Sequence, residues 1–419
     1  MQVFKFGGAS VKDANNIKNM ADIVKNSAVK DLLIVVSAIG KTTNALEGLT
    51  NNYISGNDEM YENLESIKKY HFDIINELFA YNYPKVYDDI NNTFVEIEWT
   101  IEDKPQDPYN FIYDQIVSIG ELLSSKIVSH YFNYIGITNK WLDARSFIQT
   151  DNTYREAHVN WHKTNDLIDS QVPALLKNTI AITQGFIGNT SENFTTTLGR
   201  EGSDYSAAIF ANCLNADKLV VWKDVPGILN ADPKRFPEAI KFDELSYASA
   251  IEMTYYGASI IHPKTIKPLQ NKNIPLYVKP FLQPEDQGTI IKETDSTINT
   301  PSVIVKSNQQ LLSISSKDYA FVSEKHLSHL FRAFAEANIH INMMQISALT
   351  FSVCMDQDAQ KFEKLVEMIK QDFSFKYNLD LELFTIRNFT EETVAKYIDH
   401  SKSLLEQRSR NNAQFVVRK

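Results

Sequence analysis

Short apolar blocks and stretches of helical period alternate along the first 290 or so residues of the chain. Gln2 to Phe6 predicts a strand that ends at Gly7-Gly8. Over Asp13 to Lys25 the apolar residues Ile17, Met20, Ala21 and Val24 recur at helical spacing. Leu32 to Ser37 (LLIVVS) predicts a buried strand. Strand, glycine turn, helix and buried strand make a βαβ unit, which implies a parallel sheet. From Asn57 to Tyr113 the chain is rich in charged and aromatic residues and mostly helical in period, with breaks at Pro84, Pro105 and Pro108. Apolar positions 116, 119, 123 and 127 form one stripe and predict a helix from Ile116, with Glu121 near its start. Further strands are expected at Ile137 to Leu142, Ile180 to Gly185 and Lys218 to Trp222. Glycine, serine or aspartate follows several of them, and open α/β sheets bind ligands at such carboxyl ends.

The pattern changes near the polar segment 292–302, KETDSTINTPS. Beyond it, Val303 to Val305 and Leu311 to Ser315 predict two strands, and His326 to Ala337 an amphipathic helix. Strands at Ile339–Met344 and Thr350–Met355, a helix at Ala359–Asp372, a strand at Leu381–Ile386, a helix from Glu391 to about Gln407 and a strand at Phe415–Val417 complete the chain. The expectation is an α/β protein: a larger domain over 1–297 with a mainly parallel sheet, then 298–419 as two small βαββαβ modules. The first module covers about 311–380, and the second is built from about 300–310 and 381–419.

Composition narrows the function classes. The 419 residues are 43% hydrophobic, enough for more than one core. The net charge of −10 is spread over both signs and lacks the basic stripe that nucleic-acid binding needs. Two cysteines, Cys213 and Cys354, suggest no disulfide framework. The N-terminus MQVFKFGG is not a secretory signal, and no apolar run is long enough to span a bilayer. A cytoplasmic protein without nucleic-acid or membrane partners is expected.

Several segments carry candidate chemistry. In Lys5-Phe6-Gly7-Gly8-Ala9-Ser10, adjacent glycines let backbone N–H groups approach a phosphate, and the following helix offers its N-terminus to an anion. Lys5 would place a compact charge there. Taken alone, the glycine pair is equally a tight turn with a solvated lysine. Ser37 and the Thr42-Thr43-Asn44 stretch close another strand, and a helix cap at Thr42 or Thr43 explains them as well. Glu121, in the first turn of its helix, is accounted for by the helix dipole unless a cationic partner meets it. Leu198-Gly199-Arg200-Glu201-Gly202-Ser203-Asp204 is the most informative stretch: an arginine that can grip a carboxylate with two parallel bonds, then a serine and an aspartate at a helix start. Asp204 could serve there as an N-cap only. The segment 222–234, WKDVPGILNADPK, holds Pro-Gly and Asp-Pro turns and suits a nucleotide loop or an ordinary connection. His262, before Pro263, has no metal-ligand cluster around it and reads as structural; no protein-held metal site is expected.

In this order and at these separations, KFGGAS, VVSAIGKTTNAL, SIGELLSSKIV, LGREGSDYSAA, VWKDVPGILNADPK and YGASIIHPKT resemble the aspartate kinases of the amino-acid-kinase fold. The resemblance covers about the first two-thirds of the chain, and the tail resembles the paired ACT domains of that family. It implies a three-layer amino-acid-kinase sandwich followed by two ACT-like modules. The activity it implies is Mg²⁺-dependent transfer of phosphate from ATP to the side chain of L-aspartate (EC 2.7.2.4), the first step toward lysine, threonine and methionine. It makes Lys5 the cation at the transferring phosphoryl group and Asp204 the residue that positions it. Arg200 would bind the substrate α-carboxylate and Glu121 its α-ammonium, with Thr43 and Ser203 as further substrate contacts. Gly7, Gly8, Ser37, Lys223, Asp224, Leu229, Lys234 and Ser259 would lie on the ATP side. A homodimer or higher homo-oligomer and a lysine or threonine effector at the ACT-like modules also follow.

Three positions depart from the family pattern: Glu201 often is glycine, Ser259 often lysine, and Leu229 often aromatic. In the first ACT-like module Gln345-Ile346-Ser347-Ala348 stands where a Thr-Ser-Glu stretch is usual. Another enzyme of the fold, acting on glutamate, acetylglutamate or a nucleotide, is disfavoured by the tail and by the Arg200/Glu121 pair. A non-catalytic amino-acid sensor draws support from Glu201 and Ser259, but Lys5, Arg200, Ser203, Asp204 and Asp224 are all in place. A fused homoserine dehydrogenase is not expected, since no G-x-G-x-x-G follows a strand.

Overall fold

The computed structural model describes residues 1–177, 179–258, 261–294, 299–318 and 320–419. Ser259, and the expected domain boundary at 297/298, lie outside the described residues. The chain divides into two compact units, the second of which takes in residues 229–240 and the stretch from Glu252 as well as the C-terminal part.

The first unit is built on strands β1 (Gln2–Phe6), β2 (Leu32–Val36), β3 (Asn139–Leu142), β4 (Ile180–Gln184), β5 (Ile187–Asn189), β6 (Thr195–Thr197), β7 (Lys218–Lys223), β8 (Glu244–Ser246), β9 (Leu276–Pro280) and β10 (Thr289–Lys292). Eight of them form one sheet in the order β3-β4-β2-β1-β7-β9-β10-β8. Every neighbouring pair is parallel except β9–β10. The separate pair β5–β6 is an antiparallel hairpin. Central strands of such a sheet are covered on both faces, which is why LLIVV and KLVVWK read as continuous apolar runs. Alternation along β1 sends Phe4 and Phe6 into the large core with Trp222, on which Phe6 stacks. Val3 and Lys5 take the other face.

The aromatic-rich segment folds as helices Glu59–Phe79, Pro84–Glu102, Tyr109–Val117 and Ile119–Tyr134. Two of its prolines mark helix starts: Pro84 occupies the first turn, where its missing N–H costs nothing, and Pro108 precedes the third helix; Pro105 lies in the connection between them. The stripe from Ile116 is divided between two helices that share Ser118, itself in helical conformation.

The second unit is a six-stranded antiparallel sheet. Its strands are β11 (Ser302–Ser316), β12 (Ile341–Ile346), β13 (Phe351–Asp356), β14 (Phe373–Arg387), β15 (Ser403–Arg408) and β16 (Asn412–Arg418), in the order β12-β13-β11-β14-β16-β15. Helices Glu324–Glu336 and Ala359–Ile369 cover one half of it, through Leu330, Phe334 and Leu365, and Glu391–Tyr397 covers the other, through Val394. Two expectations are corrected here. The strands predicted at 303–305 and 311–315 are one strand, irregular between Lys306 and Leu311, where Asn308 takes φ +55. The polar run KSNQQ resembles a turn, but Gln309 and Gln310 are buried within the sheet, and Gln309 hydrogen-bonds Asp356 and Asn342. The helix expected from Glu391 to about Gln407 stops at Tyr397; a short turn capped by Asp399 follows, and Ser403–Arg408 becomes an edge strand paired with β16. Among the described residues no helix is long and apolar enough to cross a membrane.

Candidate active site

The carboxyl ends of β2, β1 and β7 are in register, with Lys5 between Val35 and Val221. Just past them the backbone is stitched by Ser37 N–H to the Phe6 carbonyl (3.1 Å) and Gly40 N–H to the Gly8 carbonyl (3.1 Å). A Cβ on Gly8 would lie 2.8 Å from the Gly40 carbonyl oxygen and 2.9 Å from that of Ala38, so only glycine lets the two loops meet. Gly7 precedes a short 3₁₀ turn, Gly8–Val11.

Lys5 reaches the helix Gly202–Cys213 on its face of the sheet. Its Nζ lies 2.6 Å from Asp204 Oδ1, and Lys223 Nζ is 3.4 Å from Asp204 Oδ2. Asp204 is not the N-cap: Glu201 occupies that place, and Asp204 sits in the first turn, where the helix dipole favours an anion. Burial would raise the Asp204 carboxyl, but Lys5 and Lys223 outweigh it and hold the group below the usual carboxylate range. Two lysines around one carboxylate leave a net positive charge at the strand ends.

Glu121 closes another side of this edge. It is 3% exposed. The Ala38 N–H donates to its carboxylate, while Oε2 has no hydrogen-bond partner. Burial pushes its carboxyl up to about 8, against the opposing pull of Ala38 and of the Lys5 charge. Gly120 permits this approach, since a Cβ there would come within 3.1–3.3 Å of Leu46, Thr42 and Ala38. Thr43 lies in the first turn of the helix Thr42–Ser55; no threonine caps it, and Thr42 Oγ1 donates to the Ile39 carbonyl instead.

Ser203 is buried against Gly185, where an added Cβ would sit 2.5 Å from the serine Cβ. That glycine follows β4, and its signal in the sequence is only a glycine at a strand end. Arg200 is exposed in the turn before the same helix. Glu201 takes φ +54 and ψ 27, a left-handed conformation suited to glycine. Its Oε2 is buried without a partner. Asp224 is exposed just past β7. Leu229 and Lys234 belong to the second unit, with Lys234 exposed and its N–H donating to Asp232. His262 caps the helix Pro263–Gln270 through Nδ1, a structural role.

The structure therefore brings together Lys5, Asp204 and Lys223 in direct contact, with Glu121, Gly8 and Ser37 at the same sheet edge. Comparison with known proteins bears on the family of the chain. The profile of the amino acid kinase family matches residues 1–280. Lysine-sensitive aspartokinase 3 of Escherichia coli (strain K12) is 32% identical over 358 residues, 84% of this chain and 78% of that protein. Aspartokinase 1, chloroplastic, of Arabidopsis thaliana is 30% identical over 384 residues, 87% of this chain and 65% of its own length. The crystal structure of E. coli aspartokinase III in complex with aspartate and ADP (R-state) covers 100% of this chain and 96% of its own, at 27% identity and a TM-score of 0.86. The same enzyme in complex with lysine and aspartate (T-state) gives a TM-score of 0.82 at 28% identity, again covering 100% and 96%. On these matches the chain belongs to the amino acid kinase family and, within it, to the aspartokinases.

Proposed function

We propose that the chain transfers the γ-phosphoryl group of Mg-ATP to the side-chain carboxylate of L-aspartate, giving 4-phospho-L-aspartate and ADP. The observation that carries this reading is the buried Glu121, with an unpartnered oxygen, beside a Lys5–Asp204 ion pair. A buried carboxylate oxygen that lacks a partner is costly unless a cation arrives, and a substrate α-ammonium is such a cation. Arg200 takes the α-carboxylate, and Thr43 and Ser203 complete the substrate contacts. The β-carboxylate, with a pKa of about 3.9, is already ionised at neutral pH and needs no general base. One of its oxygens attacks the γ-phosphorus as the bond from that phosphorus to the β–γ bridging oxygen breaks, and the electron pair leaves with ADP. The obstacle is anion meeting anion, so catalysis consists of positioning and charge neutralisation. Lys5 neutralises the moving phosphoryl group, and Asp204 aims Lys5 and keeps its charge from closing on the nucleotide alone. Gly7, Gly8 and Ser37 receive the phosphate oxygens. Lys223 and Asp224 stand on the ATP side.

Among the described residues no group of three or more His, Cys, Asp or Glu side chains could hold a metal. Mg²⁺ fits this site as a passenger on ATP, since it keeps waters and favours phosphate oxygens over an all-protein cage. Bound there, it supplies further charge neutralisation. The regulatory sheet is proposed to form the homodimer and to take an amino-acid effector, in line with the lysine complex of the E. coli relative. Cys213 and Cys354 are buried free thiols, in keeping with a cytoplasmic enzyme.

The test is ADP release followed with L-aspartate, L-glutamate or no acceptor, with Mg²⁺ or with EDTA. Release should require L-aspartate and Mg²⁺ together. Equal release with glutamate or without acceptor would refute the assignment. Adding L-lysine and L-threonine separately tests the effector.

A further inference from the structure

Asp114 has no part in the chemistry proposed above, yet it is wholly buried and fully engaged. It lies on the helix Tyr109–Val117 with 0% exposure. Its carboxylate accepts from Thr197 Oγ1 at 2.7 Å, from Thr197 N–H at 2.9 Å, and from Arg155 N–H at 3.0 and 3.2 Å. Arg155 takes φ +71, a conformation that L-residues rarely adopt, and the carboxylate fixes it there. The Arg155 guanidinium lies 4.4 Å from the Tyr113 ring centroid and 3.6 Å from Glu47, on the helix that carries Thr43.

Two routes lead from Asp114 to the amino-acid handles. Thr197 ends β6, and two residues later Gly199 rests on the backbone of 155–156 just before Arg200; a Cβ there would be 3.4 Å from the Arg155 carbonyl oxygen. Ala157 N–H closes the same junction on the Thr197 carbonyl at 3.0 Å. On its own helix, the Asp114 carbonyl accepts from Ser118 N–H, and the Ser118 carbonyl accepts from Glu121 N–H. We infer that Asp114 is a positioning residue that sets the spacing between Arg200 and Glu121, and so selects an acceptor carrying carboxylate and ammonium on one carbon. This rests on the substrate reading given above.

Burial pushes the Asp114 carboxyl up to about 6, against the bonds from Arg155 and Thr197. The titratable and charged groups facing it are Arg155 from the 153–157 loop, Tyr154 on that loop, and Tyr113 on its own helix. Below about pH 6 the group takes up a proton and can no longer accept every bond.

The experiment compares Asp114→Asn, Thr197→Val and Thr197→Ser with wild type. Thr197→Val removes one hydroxyl and keeps the side-chain volume, so it guards against a folding failure in Asp114→Asn. The KM for L-aspartate should rise about ten- to hundredfold in Asp114→Asn and Thr197→Val, the scale of losing a hydrogen bond to a charged group. The KM for ATP should stay within about twofold, and Thr197→Ser should restore the wild-type value. Below about pH 6 the wild-type KM for aspartate should climb more steeply than the Glu121 titration alone imposes, and Asp114→Asn should lack that extra climb. An unchanged aspartate KM in both folded variants, or an ATP KM that rises equally, overturns the inference alone. No aspartate turnover by wild type overturns the substrate reading as well.

Discussion

Glu121 offers the sharpest quantitative test of the site. Its carboxyl is pushed up to about 8 and one oxygen awaits a partner. At pH 7 only about a tenth of the free protein carries it ionised, so binding an ammonium group there must expel about 0.9 of a proton. At pH 9 the group is mostly ionised beforehand, and only about 0.1 of a proton should leave. Isothermal titration of L-aspartate in buffers of differing ionisation enthalpy reads this number directly. Affinity should fall close to tenfold for each pH unit below about 8. Glu121→Gln keeps the size and the bond from Ala38 but removes the charge. It should abolish the proton release and weaken aspartate by about 2–3 kcal/mol, roughly 30- to 150-fold. Stability moves the other way. A raised carboxyl in the fold means that the native state binds more protons than the unfolded chain between about pH 4.5 and 8, so wild-type stability falls as pH rises through that window. Glu121→Gln has no such fall and should gain on wild type toward pH 9. Buffer-independent heats at pH 7, or proton release that survives in Glu121→Gln, would refute the assignment of Glu121 to the ammonium.

Other sites yield equally definite outcomes. Asp204→Asn leaves Lys5 and Lys223 without their shared carboxylate, and single-turnover assays should show the phosphoryl-transfer rate reduced by about 10²–10³. Because Asp204 is held below its ordinary range, the stability it contributes is present above the pH of an unfolded aspartate and lost as pH falls, so Asp204→Asn should flatten the acid limb of a melting-temperature profile. Gly8→Ala would drive a Cβ into the Gly40 and Ala38 carbonyls and should raise the KM for ATP at least about tenfold, a loss of about 1.4 kcal/mol, with the KM for aspartate less affected. Glu201→Gly relieves a left-handed residue and a buried partnerless oxygen; denaturant titration should show a gain of roughly 0.5–1 kcal/mol, and a loss would contradict the strain.

The parts of the fold legible in the sequence are those in which local pattern and tertiary environment agree. Strands β1, β2 and β7 are buried on both faces, so their apolar runs stand out, and the Gly7-Gly8 pair marks a turn where the close contacts at Gly8 demand glycine. Lys5, Arg200 and Asp204 are legible because each stands at a strand end or within two residues of a glycine. Elements that depend on distant partners were hidden. Ser403–Arg408 has helical period but pairs as an edge strand, and KSNQQ looks like a turn although Gln309 is satisfied by Asp356 and Asn342 from other strands. Asp114 gave no signal, since a lone aspartate in YDQIV reads as an exposed helix position; its donors, Arg155 and Thr197, lie 41 and 83 residues away. The left-handed Glu201 shows the same limit, for its sequence neighbours do not reveal its φ.

Trapping the product with hydroxylamine tests the central claim most directly. Wild-type protein with Mg-ATP and L-aspartate should yield aspartyl hydroxamate at the side-chain carboxyl and none at the α-carboxyl, and Lys5→Ala should lose nearly all of it. Absence of hydroxamate from folded wild type, trapping at the α-carboxyl, or undiminished formation by Lys5→Ala would contradict the account.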